Sequence, residues 1–318
     1  MKKGQKDIVS KLTEDIAHII EDITGIIKLP SVLEDDKKGI EHIAQLSHML
    51  KETKEKRKLF YVLDCSATDK MSVSAITFLI CFIHDLEEKI FLFCEDKIIE
   101  GNNQIIDLLI EKYIKKSEDL TLWNTYNFEE DYYLSFLNEE LSSYNLKEEQ
   151  KIKLLLSELF TNIKMHSNSK IGSVMVSAHS EKIVFCITNI DITIKENITR
   201  KKEFLLDEEA IIWALKKGKS TRKKVSGGLG FYYLRKFLAE LGGRFTIVSG
   251  NARLQFDREF FNPKDERIVI SSSEKERRLD NKFRGNLFLI EIPYLKEVDI
   301  KQNNEENVTT FRLKDMRS

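Results

Sequence analysis

Glu158 and Asn162 stand four residues apart in SELFTNIKMHS, a spacing that a helix turns onto one face. A carboxylate and an amide one turn apart suit a metal-phosphate site: the amide oxygen can ligate Mg2+, and the carboxylate can orient or deprotonate a nucleophile. A second group lies in GKSTRKKVSGGLGF, where Gly218, Ser220 and Thr221 precede Gly227, Gly228, Leu229 and Gly230. Glycines just before an apolar helix let backbone N–H groups approach a phosphate at the helix N-terminus. Hydroxyls and the cations Arg222, Lys223 and Lys224 would add to that contact. A third element is FCITNIDITI, an apolar strand that ends on Asn189, whose amide could read a base edge. Taken singly, each has a plain structural reading: a solvated helix face, a basic loop, an alternating strand.

The elements that must hold these residues follow from periodicity. Residues 147–166 read as one long helix carrying Glu158 and Asn162, with Leu155, Leu159 and Ile163 as an adjoining apolar stripe. SVMVSAH and KIVFCITN predict a hairpin around SEK, and helices are expected near 207–216 and over 229–241. RFTIVSG, RLQFDRE, RIVISS and NLFLIEIPY read as further strands. The second half is therefore expected to be α+β, with hairpins packed on helices. The first half alternates differently. GIIKLP reads as a short strand and KLFYVLD and KIFLFCED as buried strands, separated by helices over 37–53 and 72–87. Another helix is expected over 97–115, with DLTLWN as a last strand. That pattern predicts a small α/β unit.

With 318 residues the chain is long enough for two such units. Its formal net charge of -1 provides no field favouring nucleic acid or an acidic membrane, so neither is expected as a partner. The four cysteines include no CxxC pair and sit mostly in apolar runs, as buried reduced thiols would. No run of about 18 apolar residues occurs, and MKKGQKDIVSKLTED has no apolar stretch after its lysines. The expected location is the cytoplasm.

In this order, the three groups resemble the N, G1 and G2 boxes of the GHKL ATPase superfamily, which includes histidine kinases, anti-sigma kinases and gyrase-like ATPases. ELFTNIKMH is similar to the N box, with Glu158, Asn162 and His166 at matching positions. GKSTRKKVSGGLGF resembles the lid and G2 box, and the likeness continues through FLAELGGRFTIVSG. The resemblance implies a Bergerat fold over 147–295, ATP and Mg2+ as cofactors, Glu158 as the activating carboxylate and Asn162 as the metal ligand. The G1 box departs from the family's Asp-x-Gly-x-Gly: Asn189, Asp191 and Thr193 occupy the three positions. Asn189 keeps an acceptor oxygen but not the charge. An alternative alignment makes Asp191 the base contact.

VLDCSATDKMSVSAITFL is similar to the STAS domain of anti-sigma antagonists, with Asp64 ending a strand and Ser72, Val73, Ser74 and Ala75 in the motif. The resemblance implies a STAS-like α/β domain over 1–125 and places Ser74 where that family is phosphorylated; the plain reading is that Ser72 caps the helix. A helical connector over 126–146 and a charged tail over 296–318 complete the expected organisation. Two readings follow. In one, the chain is an ATP-binding regulator, an ATPase or serine kinase, whose partner is a regulatory protein or its own STAS-like domain. In the other it is a non-catalytic module with an altered nucleotide pocket. A homodimer is compatible with both.

Overall fold

KLFYVLD and KIFLFC form the two central strands of a four-stranded sheet. The computed structural model describes residues 24–55, 60–85, 89–94, 97–114, 120–127, 149–166, 171–178, 182–190, 192–199, 206–216, 218, 230–257 and 268–293. Strands β1 (Thr24–Lys28), β3 (Phe60–Asp64) and β5 (Lys89–Cys94) run parallel, and β6 (Lys97–Glu100) closes the edge antiparallel to β5. The short β2 (Val32–Leu33) and β4 (Lys70–Met71) pair separately. Helices α1 (Lys37–Glu55) and α2 (Val73–Asp85) cross between the strands, and α3 (Asn102–Tyr113) follows β6. The helix expected from residue 97 thus starts later. Lys97–Glu100 continues the chain back along β5, and Gly101, at φ 98, makes the turn into the helix.

The second sheet is wholly antiparallel, in the order β10-β11-β9-β8-β7. Its strands are β7 (Leu120–Asn127), β8 (Ile171–Ala178), β9 (Lys182–Asn189), β10 (Arg244–Phe256) and β11 (Arg278–Pro293). Its helices are α4 (Glu149–His166), α5 (Ile194–Thr199), α6 (Asp207–Leu215), α7 (Gly230–Leu241) and the single turn α8 (Glu274–Arg277). The strand DLTLWN, assigned above to the front unit, is β7 and pairs along its length with β8. The reason is edge occupancy: β6 already fills the free side of β5, whereas β8 has an open antiparallel edge. RFTIVSG and RLQFDRE join into one strand, β10, with register shifts at Ser249/Gly250 and Gly250/Ala252. RIVISS forms no strand of its own; Ser271 N–H and Oγ donate to the Gln255 carbonyl at 2.9 and 2.7 Å. The connector over 126–146 and the tail over 296–318 lie outside the described residues, apart from Tyr126 and Asn127 in β7.

Both faces of this sheet are apolar, which explains why KIVFCITN and NLFLIEIPY read as continuous runs instead of alternating ones. Phe185, Ile187, Phe245, Ile247, Phe288 and Ile290 face α4, α6 and α7. Met175, Val184, Cys186, Val248, Leu287 and Leu289 face the other way, into one core shared with the first sheet and α1, α2 and α3. Helix α2 is the middle of that core: every side chain from Val73 to Ile83 is buried, and the helix lies against β8 and β9. A helix apolar all round needs cover on all sides. Phe78 shows the arrangement, its ring 6.3 Å from Phe82 and 5.7 Å from Phe283 of β11.

Candidate functional site

Strand alternation puts Asn189 on the same face as Phe185 and Ile187, beneath the helices that include α4. It is the last residue of β9 and fully buried. Register places it beside Gly172 of β8 on one side and Asn286 of β11 on the other, and Asn286 in turn opposes Ser249 of β10. At the strand end, a polar row across these strands therefore replaces the apolar rows behind it.

The hydrogen bonds fix which way both amides point. The Ile194 backbone N–H can only donate, and it donates to Asn286 Oδ1 at 3.1 Å. Ser249 Oγ donates to the same oxygen at 2.8 Å. Asn286 Nδ2 must then be the donor to the Ile192 carbonyl at 3.0 Å and to Asn189 Oδ1 at 3.1 Å. Asn189 Nδ2 is left facing away, buried and without a hydrogen-bond partner among the described residues. A buried donor left without an acceptor costs about 1–3 kcal/mol. Such an atom marks a place that an acceptor from outside the described chain would complete.

The loop after β9 is held rigidly around this row. Thr193 caps α5: its N–H donates to Glu196 Oε2 at 2.9 Å, and Glu196 N–H returns to Thr193 Oγ1 at 3.2 Å. Burial pushes the Glu196 carboxyl up, but Lys282 and Thr193 outweigh it and hold the group below its ordinary range. Gly285, at φ 117, lies so close to β9 that a Cβ there would stand 2.0 Å from the Asn189 carbonyl oxygen. Gly250, at φ 62, leaves room for the Asp207 carboxylate, which accepts from the Asn251 N–H at 3.1 Å.

The other candidate residues are distributed as follows. Glu158 is exposed on α4, on the side away from the core residues Leu155, Leu156 and Leu159. Asn162 and His166 continue α4, and Gly230 opens α7, which packs on α4; the side chains of Asn162 and His166 lie outside the described residues, as do Asp191, Ser220, Thr221, Gly227, Gly228 and Leu229. Gly218 is exposed at φ 70, and no described atom lies within 4 Å of where its Cβ would stand. The structure thus brings α4 and α7 together over the sheet that carries Asn189. Among the described residues no three His, Cys, Asp or Glu side chains converge on a metal site. Sequence reasoning missed Asn286, Ser249 and Gly285, which only strand register brings to Asn189.

Ser74 is buried in the first turn of α2. Its hydroxyl donates to Asp35 Oδ1 and lies 3.2 Å from Ser72 Oγ. Ser72 Oγ also accepts from the Ala75 N–H at 3.3 Å, a capping contact. Arg253 of β10 donates to the Asp35 carbonyl at 3.1 Å, so the second sheet closes over this corner. Phosphate could reach Ser74 only if α2 separated from Asp35.

No family model matches the chain, and no curated protein matches it. No described helix is long and apolar enough to cross a membrane.

Proposed function

We propose that the chain is a nucleotide-binding regulator of the GHKL type, taking ATP with Mg2+ at the end of β9 beneath α4 and α7. The observation that supports this reading most is the buried Nδ2 of Asn189, which has no hydrogen-bond partner among the described residues, in a row whose Asn286 and Ser249 side chains are hydrogen-bonded. A base edge offers the acceptor that this donor lacks. Asn162 would hold the metal, with phosphate oxygens supplying its other ligands, and Glu158 would orient the attacking group. The chain's own front unit, packed on the back of the same sheet, is the partner on which binding would act. A regulatory protein is the alternative partner.

A non-catalytic form of the same reading is favoured by Thr193. Where the resembled motif has glycine, this chain has a helix cap engaged in two hydrogen bonds. Titration of labelled ATP with and without Mg2+ tests both forms. Binding that strengthens with Mg2+ is expected, and Asn162→Ala should weaken that Mg2+-dependent part. Asn189→Asp should weaken binding, because a carboxylate cannot donate to the base acceptor that Nδ2 would meet. Glu158→Ala should leave binding intact and lower any turnover by about 10²- to 10⁴-fold. Absence of ATP binding in the wild type, with or without Mg2+, would overturn the nucleotide assignment. Equal turnover in wild type and Glu158→Ala would overturn the role of Glu158 alone.

A further inference from the structure

Two thiols meet at the carboxyl ends of the parallel strands of the first sheet. Cys94 is the last residue of β5, and Cys65 directly follows β3. Asp64 is registered with Phe93, and the Cys65 N–H donates to the Phe93 carbonyl at 2.9 Å, so the two cysteines are the next opposed pair. Neighbouring strands lie about 4.8 Å apart, within the Cα separation of roughly 4.4–6.8 Å that a disulfide spans. Cys65 Sγ donates at 3.4 Å to the carbonyl of Phe93, the residue just before Cys94.

The last turn of α3 covers them with two polar groups. Lys112 Nζ donates to Cys94 Sγ at 3.0 Å. The Tyr113 hydroxyl lies against Cys65 and donates to the Thr68 carbonyl at 3.2 Å. A plain core thiol needs no ammonium beside it, and bringing a lysine into a partly buried site carries a desolvation cost. Cys65 and Cys94 are buried in the same core as Cys186, which lies beside the Thr77 hydroxyl and whose thiol burial pushes up. Burial pushes the Cys65 thiol up to about 12.

We propose that Cys65 and Cys94 are a redox pair that a hydroperoxide converts to a disulfide, with Lys112 activating Cys94. In the first step Cys94 sulfur attacks one peroxide oxygen. The S–O bond forms as the O–O bond breaks, and the leaving hydroxide takes the thiol proton to become water, or an alcohol from an organic peroxide. Cys65 sulfur then attacks Cys94 sulfur. The S–S bond forms, the S–O bond breaks, and the hydroxyl leaves as water with the Cys65 proton. The thiol pair loses two electrons and the peroxide gains them. The disulfide would tie β3 to β5 directly beside the loop that leads into α2.

The test treats the full chain with hydrogen peroxide, blocks the remaining thiols, and maps the peptides without reduction. The expected product links the Cys65 and Cys94 peptides and leaves Cys81 and Cys186 as free thiols. Cys65→Ser should stop the reaction at a sulfenic acid on Cys94 that a dimedone probe traps, and Cys94→Ser should abolish both products. Lys112→Gln should slow disulfide formation by about tenfold, the order by which a neighbouring cation raises thiolate reactivity. Because Cys65→Ser and Lys112→Gln report independently, misfolding of one leaves the other informative. Oxidation confined to Cys81 or Cys186, or a Cys94 sulfenic acid that persists in the wild type with no linked peptide, would overturn the proposal. An unchanged rate in Lys112→Gln would remove the role of Lys112.

Discussion

Asn189 carries two lessons at the residue scale. Its place at a strand end is legible in FCITN, because an alternating apolar strand closing on an amide is a local pattern. Its partners are not. Asn286 and Ser249 come from strands far along the chain, and they become neighbours of Asn189 only when β10, β11 and β9 align. Gly285→Ala is expected to be severely destabilising, because its Cβ would meet the Asn189 carbonyl and its φ of 117 is one that L side chains rarely adopt. A loss of more than about 2 kcal/mol in denaturant unfolding checks this. Asp35 gives a pH prediction. Burial pushes its carboxyl above the ordinary range, and the Ser74 and Ser72 hydroxyls do not offset it. The folded state therefore holds this proton more tightly than the unfolded chain. Its contribution is complete below the unfolded value of about 3.9 and is lost as pH rises through the folded value. Asp35→Asn keeps an acceptor for Ser74 and cannot ionise. Its unfolding midpoint should fall less than the wild type's between about pH 4 and about pH 7.

At the element scale, helices with a clear apolar period were legible to within a few residues, and strand membership was not. α1, α2, α4, α6 and α7 follow from spacing alone. The seat of β7 depends on which sheet edge is open, a property no local window contains. The same holds for the first half of β11, written in charged letters as RLDNKFR. It is held from outside by α1: Glu41 accepts from the Asp280 N–H at 2.7 Å and the Asn281 N–H at 3.2 Å. Ser47 Oγ accepts from the Arg284 N–H at 3.1 Å and donates to the Ala44 carbonyl. Glu41→Ala leaves two strand N–H groups without their carboxylate. It should cost about 1.5–3 kcal/mol, and amide exchange should quicken at Asp280 and Asn281 before it does elsewhere in β11.

At the scale of the whole molecule, the sequence suggested two units in series, but the two larger sheets of the described residues share one core. Met175, Val184, Phe283 and Leu289 from the second sheet pack into the same cluster as Ile76, Phe78 and Ile80 of α2. Unfolding either sheet exposes the other's apolar face, so thermal denaturation should give one transition with coincident near- and far-UV signals. Phe78→Ala should cost about 3–5 kcal/mol and shift that transition without splitting it. Two separated transitions would show that the units unfold independently.

Helix α2 also bears on how such a chain can be inherited. A half joined to its neighbour only by a linker can be copied, shuffled or lost as a unit, because each piece remains soluble when it moves. Here the helix belongs by chain order to the front half and by packing to both. A gene encoding either half alone would specify a protein with a bare apolar face, prone to self-association. Selection would therefore keep the two halves together, and substitutions along α2 should be tolerated only with matching changes on β8 and β9.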